Sequence, residues 1–217
     1  MKKSIAILGL SLLLALPVSA ATNPFEGKII ALDAGHGNGE TGAVGNCNGT
    51  PVIEADVNWA VRLELEKLLP VGTYHEVAQL DSRQDRVADA EAFNSDVLIS
   101  IHHNGSTNTS ADYTQSFVTQ RNDKIFAGYI HPAIVDALKL TDKGIKSDGY
   151  GMTVYGSLPG VLTESYFVTN TDGACDFVNY QNGATDTRVQ KEAQAMYDGL
   201  LAYFTANTGS GGKGRNK

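Results

Sequence analysis

The chain has 217 residues, of which 42% are hydrophobic and 19% charged, and its formal net charge is −7. Such an acidic chain is a poor candidate for a nucleic-acid-binding protein, because those proteins use lysine and arginine to neutralise phosphates. The composition is otherwise that of a globular protein long enough to bury a substantial core.

The first 20 residues have the pattern of a secretory signal peptide. Two lysines precede an apolar run that ends at Pro17, and the small residues behind it predict cleavage after Ala20 or Ala21. The run is shorter than the roughly 20 apolar residues that cross a bilayer. We therefore expect export to the periplasm or the extracellular space, with no stable membrane insertion after cleavage.

Cleavage after Ala20 would leave 197 of the 217 residues and change the formal charge from −7 to about −9, because Lys2 and Lys3 leave and no acidic residue does. That length suits a single domain, which we expect to span residues 21–206. Residues 207–217 are rich in glycine and are expected to form a flexible tail. We expect the mature protein to be a monomer.

Short apolar runs alternate with amphipathic segments along the mature chain. Strands or extended segments are predicted at 28–32, 75–80, 96–101, 114–120, 151–155 and 160–167. Helices are predicted at 54–69, 83–94, 124–139 and 186–206. This alternation predicts an α/β fold with a largely parallel sheet that helices cover on both faces.

A glycine-rich stretch, "DAGHGNGETG", follows the first predicted strand. Phosphate-binding loops, tight turns and metal-binding loops all contain such stretches. A Walker loop requires Gly-Lys followed by Ser or Thr, and a dinucleotide-binding loop opens directly into a helix. The chain has no such tripeptide, and the next predicted helix begins only at Glu54. The sequence therefore argues against a phosphate site.

Two histidines, His36 and His102, follow predicted strands, and Glu54 opens the first predicted helix. Because the carboxyl ends of parallel strands meet at one edge of a sheet, these three side chains can converge there. Two imidazoles and one carboxylate form a ligand set that catalytic zinc uses, with a fourth position open to water. Taken singly, each residue has a simpler interpretation, as a solvated loop histidine or as a first-turn acid that the helix dipole favours.

Glu164 lies within the apolar run "GVLTESYF". Burial of a carboxylate is costly unless the group has a partner or a chemical role. Beside a metal site, a desolvated glutamate has a raised pKa, which suits a general base that later acts as an acid. The alternative is a side chain that points to solvent from an edge strand.

The mature chain contains two cysteines, Cys47 and Cys175. An even number of cysteines in an exported protein favours a disulfide. Two free thiols are the alternative, and a cysteine-rich zinc site is disfavoured because neither cysteine belongs to a CxxC pair. The separation of the two Cα atoms tests the disulfide.

Four motifs occur in order along the chain: "LDAGHG", "VIEADVN", "DVLISIHHN" and "VLTESYFVTN". Together they closely resemble the zinc-dependent N-acetylmuramoyl-L-alanine amidases of the third amidase family. The resemblance extends over about residues 27–204, and four ordered motifs are far more specific than any one of them.

The resemblance implies a fold, a reaction and a set of site residues. It implies a single α/β domain with a mixed, mostly parallel sheet of about six strands. It assigns zinc binding to His36, Glu54 and His102, and it makes Glu164 the catalytic residue. The implied partner is peptidoglycan, and the implied reaction is hydrolysis of the amide between N-acetylmuramic acid and L-alanine of the stem peptide. A zinc-activated water would attack, and the glutamate would serve as general base and then acid.

The chain departs from the family pattern at two positions. The helix before the third motif keeps Arg86 and Ala90, but Glu91 replaces the usual asparagine. His103 stands where a small residue usually follows the zinc histidine, so a ligand exchange between His102 and His103 stays open.

Three further polar residues adjoin the motifs, and each has two interpretations. Asp33 either orients a zinc ligand or caps a turn. Asn104 and Asn170 either contact substrate or shape their loops, and we expect the latter.

Two alternative functions stay open. One is another exported zinc hydrolase, such as a peptidoglycan carboxypeptidase, which requires an arginine in its pocket to bind a terminal carboxylate. Arg83, Arg86 and Arg121 are the candidates for that role. The other alternative is a wall-binding module without catalytic activity.

Overall fold

The computed structural model describes residues 23–147 and 149–208, and this part of the chain forms eight strands and five α-helices. The strands are β1 (Ile30–Ala34), β2 (Val44–Cys47), β3 (Thr50–Ile53), β4 (Tyr74–Glu76), β5 (Val97–Asn104), β6 (Tyr113–Phe117), β7 (Thr141–Lys146) and β8 (Gly160–Phe167). The helices are α1 (Glu54–Leu68), α2 (Arg83–Ala92), α3 (Arg121–Leu138), α4 (Thr171–Gln181) and α5 (Arg188–Thr208). The predicted signal peptide and residues 209–217 of the predicted tail lie outside the described residues.

Six strands form one sheet in the order β4-β1-β5-β8-β6-β7. Strand β6 is antiparallel to β8, and the other neighbours in the sheet are parallel. Strands β2 and β3 pair separately as an antiparallel hairpin. The predicted α/β fold with a mixed, mostly parallel sheet of about six strands is confirmed.

Helices cover both faces of this sheet. Ile30 and Leu32 of β1 belong to a large core that also contains buried residues of α1, α3, α4 and α5. Ala31, which points to the other face, belongs to a smaller core with Val87 and Ala90 of α2. Burial on both faces explains why β1 appears in the sequence as a short apolar run. None of the described helices is both long and apolar enough to cross a membrane.

Three features of the fold have no clear pattern in the sequence. The hairpin of β2 and β3 buries only alternate residues, among them Cys47 and Val52. Strand β7 reads "TDKGIK" and is largely exposed at the edge of the sheet. Helix α4 is short, and it begins where the Asn170 side chain accepts hydrogen bonds from the N–H groups of Asp172 and Gly173.

Some predicted boundaries were wrong. The segment predicted to be extended at 151–155 instead contains a 3₁₀ helix, Gly151–Val154. Strand β4 ends at Glu76 rather than continuing to residue 80. Strand β5 continues through the histidine pair to Asn104, because it pairs with β8 as far as Phe167. His102 therefore lies in a strand and not in the loop behind it.

Cys47 of β2 and Cys175 of α4 form a disulfide, and their Cα atoms are 4.8 Å apart. That separation lies within the usual range for bonded cysteines. The bond attaches the hairpin to α4, although 128 residues separate the two cysteines in sequence. The hairpin directly precedes Glu54, the first residue of α1.

The double substitution Cys47→Ala/Cys175→Ala is expected to lower the free energy of unfolding by about 3–5 kcal/mol, because the crosslink closes a long loop and restricts the unfolded chain. Urea denaturation of the oxidised wild type and the variant measures the difference. The wild type in reducing agent is the matched control and is expected to approach the stability of the variant. Equal stability of the oxidised wild type and the variant would contradict the expectation.

Candidate metal centre and active site

The three residues that the sequence proposed as metal ligands converge at one edge of the sheet. His36 follows β1, His102 lies near the end of β5, and Glu54 is the first residue of α1. Strands β1 and β5 are parallel neighbours, so they end at the same edge. One potential ligand atom from each residue lies within 4.8 Å of the others. The sheet therefore brings together His36 and His102, which are 66 positions apart in the sequence.

Both imidazoles face a single carboxylate oxygen. Glu54 Oε1 lies 3.0 Å from His36 Nε2 and 3.1 Å from His102 Nδ1. The other oxygen, Oε2, accepts a hydrogen bond of 2.8 Å from the N–H of Ala43. His36 Nδ1 lies 3.3 Å from Glu40 Oε1, an arrangement that leaves Nε2 as the nitrogen directed into the cluster. The donor set and its spacing fit a zinc ion.

Two glycines leave the room that this cluster requires. A Cβ atom at Gly35 would lie 2.2 Å from the ring of His102, and one at Gly42 would lie 2.5 Å from Glu54 Oε2. Any larger residue at either position would displace a ligand side chain. His36 itself has a left-handed backbone with φ of 62°, and Gly37 follows with φ of 84°. The loop therefore turns sharply at the histidine.

The charges within the cluster shift the pKa values of its members. Burial alone would raise the pKa of the Glu54 carboxyl, but hydrogen bonds to His102 and His36 outweigh it and hold that pKa well below its usual range. The hydrogen bond to Glu54 is the main cause of a raised pKa for His36. Glu54 is therefore ionised at neutral pH, as a metal ligand must be.

Asp33 supports the loop through Arg86 and does not contact a ligand side chain. Arg86 Nη1 donates to Asp33 Oδ1 at 2.9 Å, and the Ser100 hydroxyl donates to Oδ2 at 2.7 Å. The same guanidinium donates to the carbonyls of Ala34 at 3.1 Å and His36 at 2.7 Å. This buried ion pair fixes the backbone that carries His36, so Asp33 acts on that residue through Arg86 and not by direct contact with its ring.

His103 cannot replace His102 as a ligand in this arrangement. Its ring is buried, with Nδ1 at 2.6 Å from Asn58 Oδ1 and Nε2 at 2.9 Å from Glu192 Oε2. The Ser165 hydroxyl donates to the other oxygen of Glu192 at 2.6 Å. Because both ring nitrogens of His103 are engaged, the residue that joins His36 and Glu54 in the cluster is His102.

Glu164 lies beside the metal cluster on the neighbouring strand. It is the register partner of His102, so the two residues stand side by side on β8 and β5. Glu164 is 8% exposed, and its Oε2 has no hydrogen-bond partner among the described residues. Strand β8 lies between β5 and β6, which excludes an edge strand with a solvated carboxylate.

Burial is the largest cause of a pKa for Glu164 well above its ordinary value. The charges of Glu54 and Glu192 raise it further. A carboxyl that is buried, unpaired and hard to ionise is costly for the fold, and such groups cluster at sites of proton transfer.

The ligand cluster and Glu164 line one open cavity of about 480 Å³. Two of the arginines considered for a carboxylate-binding pocket, Arg83 and Arg86, also line it. Other parts of its wall come from residues that no sequence motif indicated, because their segments meet only in the fold. These are Glu40, Asp81, Tyr150 and Met152.

The remaining polar candidates shape the loops around the cavity. Asn104 accepts a hydrogen bond from the N–H of Gly105, and Asn170 caps α4 and donates to the Thr109 carbonyl. Glu91, which departs from the family pattern, accepts hydrogen bonds from the N–H and hydroxyl of Ser157. It thereby attaches α2 to the segment before β8.

Known proteins are similar to this chain in sequence and in fold. The profile of the third amidase family, described as N-acetylmuramoyl-L-alanine amidase, matches residues 30–201. The uncharacterized protein YqiI of Bacillus subtilis is 33% identical over 210 residues, which cover 93% of this chain and 97% of YqiI. The N-acetylmuramoyl-L-alanine amidase LytC of the same organism is 30% identical over 199 residues, which cover 84% of this chain but 36% of LytC.

A solved structure agrees with these matches. The catalytic domain of CwlV, an N-acetylmuramoyl-L-alanine amidase from Bacillus (Paenibacillus) polymyxa var. colistinus, has a TM-score of 0.71 and 27% sequence identity. The alignment covers 82% of this chain and 98% of that domain. With its fold, its four motifs and the profile match in agreement, the chain belongs to the N-acetylmuramoyl-L-alanine amidase family.

Proposed function

We propose that this peptidoglycan amidase works with a zinc ion bound by His36, Glu54 and His102, and with Glu164 as its general base and acid. The reaction is that of the family: hydrolysis of the amide bond between N-acetylmuramic acid and L-alanine of the stem peptide. The observation that carries the mechanism is the position of Glu164 next to the three-residue cluster: the residue is buried, and its Oε2 has no hydrogen-bond partner in the described part of the chain.

Zinc suits this cluster better than a hard cation, because two of its three donors are imidazoles. When bound, zinc supplies a Lewis acid that lowers the pKa of a water to about 7 and polarises the scissile carbonyl. Glu40 contacts the His36 nitrogen that faces away from the cluster, and the N–H of Ala43 donates to the second carboxylate oxygen of Glu54. Both partners fix which atoms the ligands present.

Glu164 transfers the protons of the reaction. Its burial favours the neutral form, so the ionised carboxylate is a stronger base than one in water. It takes a proton from the attacking water and then donates a proton to the amine of L-alanine as that amine departs. Asp33 and Arg86 keep the backbone of His36 in place during these steps.

Export follows from the nature of the substrate, since peptidoglycan lies outside the cytoplasmic membrane. Residues 1–20 would direct that export and be removed, and residues 21–206 would form the catalytic domain. The periplasm or the extracellular space is then the site of action. Mass spectrometry of the protein recovered from the envelope or medium tests the cleavage after Ala20 or Ala21.

Digestion of purified sacculi, followed by mass analysis of the products, tests the function. An amidase releases free stem peptides and leaves glycan strands without peptides. Trimmed stem peptides that stay attached to glycan would instead identify a carboxypeptidase. Sacculi that bind the protein and stay intact would identify a binding module, and Glu164→Gln serves as the inactive control.

A further inference from the structure

Arg83 is a charged side chain on the cavity wall that has no acidic partner among the described residues. It is the first residue of α2, is solvent-exposed, and lines the same cavity as His102 and Glu164. No Asp or Glu oxygen of the described chain lies within 4.0 Å of its guanidinium. The other arginine of the cavity, Arg86, already donates to Asp33 and to the carbonyls of Leu80 and His36. Arg83 is therefore available to bind a ligand.

An anion can bind on the rim of the cavity at Arg83, because the other exposed charged side chains on the rim are acidic. Glu40 and Asp81, also on the wall, are both exposed acids. Glu40 lies beside His36, and Asp81 accepts a hydrogen bond from Asn38 Nδ2 at 2.7 Å. The N-terminal end of α2 adds a partial positive charge at Arg83 itself.

The chemistry of the substrate determines which anion can reach this rim. The glycan strand of peptidoglycan has no charge at the scissile bond, because the lactyl carboxyl group is consumed in the amide. The carboxylates that enter the cavity with the substrate therefore belong to the stem peptide. A guanidinium binds a carboxylate through two parallel hydrogen bonds, a geometry that lysine cannot reproduce.

We propose that Arg83 binds a free carboxylate on the part of the stem peptide that follows L-alanine. It thereby selects stem peptides that carry this carboxylate over those that carry a carboxamide in its place. This inference rests on the proposed amidase function and names the substrate form that the site prefers. It also accounts for an arginine in the pocket without a carboxypeptidase reaction, since the carboxylate is a recognition element and not the end of the scissile peptide.

Two synthetic muropeptides test the proposal. They are identical except that the second residue of the stem carries either a free carboxylate or a carboxamide. The wild type is expected to cleave the carboxylate form with a kcat/KM about ten-fold higher, mainly through KM, as a charged hydrogen-bond pair provides. Arg83→Ala is expected to abolish the preference, and Arg83→Lys to retain part of it.

Arg121→Ala is the matched control, since Arg121 is also an exposed first residue of a helix but does not line the cavity. It is expected to keep the wild-type preference. A wild type without preference, or an Arg83→Ala effect of equal size on both substrates, would overturn the proposal. The latter result would show that Arg83 contacts a group that both substrates share.

Binding of the same two compounds to Glu164→Gln separates this inference from the proposed function. If the wild type cleaves neither compound at the amide, the proposed function fails. Calorimetry then measures the dissociation constants of both compounds for Glu164→Gln and for the double variant Glu164→Gln/Arg83→Ala. The change in the ratio of these constants still decides whether Arg83 recognises the carboxylate.

Discussion

Glu164→Gln is expected to lower kcat by about 10²–10⁴-fold, the usual contribution of a positioned general base. Glutamine has nearly the same shape and can occupy the same place on β8 beside His102, but it cannot accept the proton of the attacking water. KM and metal content are expected to stay close to those of the wild type, because Glu164 is not one of the three clustered ligand residues. Hydrolysis of a muropeptide and metal analysis on one preparation measure all three quantities.

The same substitution is expected to stabilise the metal-free protein at neutral pH. The pKa of Glu164 is raised in the folded state, so the folded protein binds the proton more tightly than the unfolded chain does. That contribution is fully present below the ordinary carboxyl pKa of about 4.3 and is lost as the pH rises through the higher folded value. The metal-free variant should therefore melt above the metal-free wild type at pH 7, and the difference should shrink near pH 4.

Asp81→Asn is the matched control for both readouts, because Asp81 lines the same cavity but is exposed and contacts none of the ligand residues. It is expected to change the melting temperature little. The wild type is also expected to lose kcat/KM at acid pH, since a protonated Glu164 cannot act as the base. If the Glu164→Gln enzyme stays active and loses kcat/KM at acid pH as the wild type does, Glu164 is not the base.

Removal of the metal is expected to abolish hydrolysis, with a loss of at least about 10³-fold, because a free water is far less acidic than a zinc-bound one and is a poor nucleophile at pH 7. Addition of one equivalent of Zn²⁺ to the chelator-treated protein is expected to restore activity. The metal-free protein should also melt at a lower temperature than the zinc-loaded one, since a ligand that binds only the folded state stabilises it.

His102→Ala is expected to reduce bound zinc from about one ion per chain to nearly none, because a site of three protein ligands loses one of them. Elemental analysis after dialysis measures the metal directly, without reliance on activity. His75→Ala is the matched control, since His75 pairs with Asp89 and does not belong to the cluster. Full zinc occupancy in His102→Ala would show that the ion binds elsewhere.

Local patterns predicted the elements that carry the site. Strands β1, β5 and β8 are buried on both faces, so each appears in the sequence as an apolar run. Helix α1 buries Val57, Val61 and Leu65 along one side, which produces a helical spacing. The hairpin of β2 and β3 and the edge strand β7 could not be found this way, because little of their surface enters the core.

The sequence by itself determined the fold class and the order of the motifs, because burial patterns are local properties, and the resemblance to the amidase family indicated the four residues expected to act. Only the tertiary structure showed which of His102 and His103 faces the metal cluster. The two residues are neighbours on one strand, but the ring of His102 contacts Glu54 and the ring of His103 contacts Glu192. It also showed that Asp33 acts through Arg86 and that Arg83 reaches the cavity. These last facts depend on contacts between distant segments, and such contacts form only when the sheet and helices pack together.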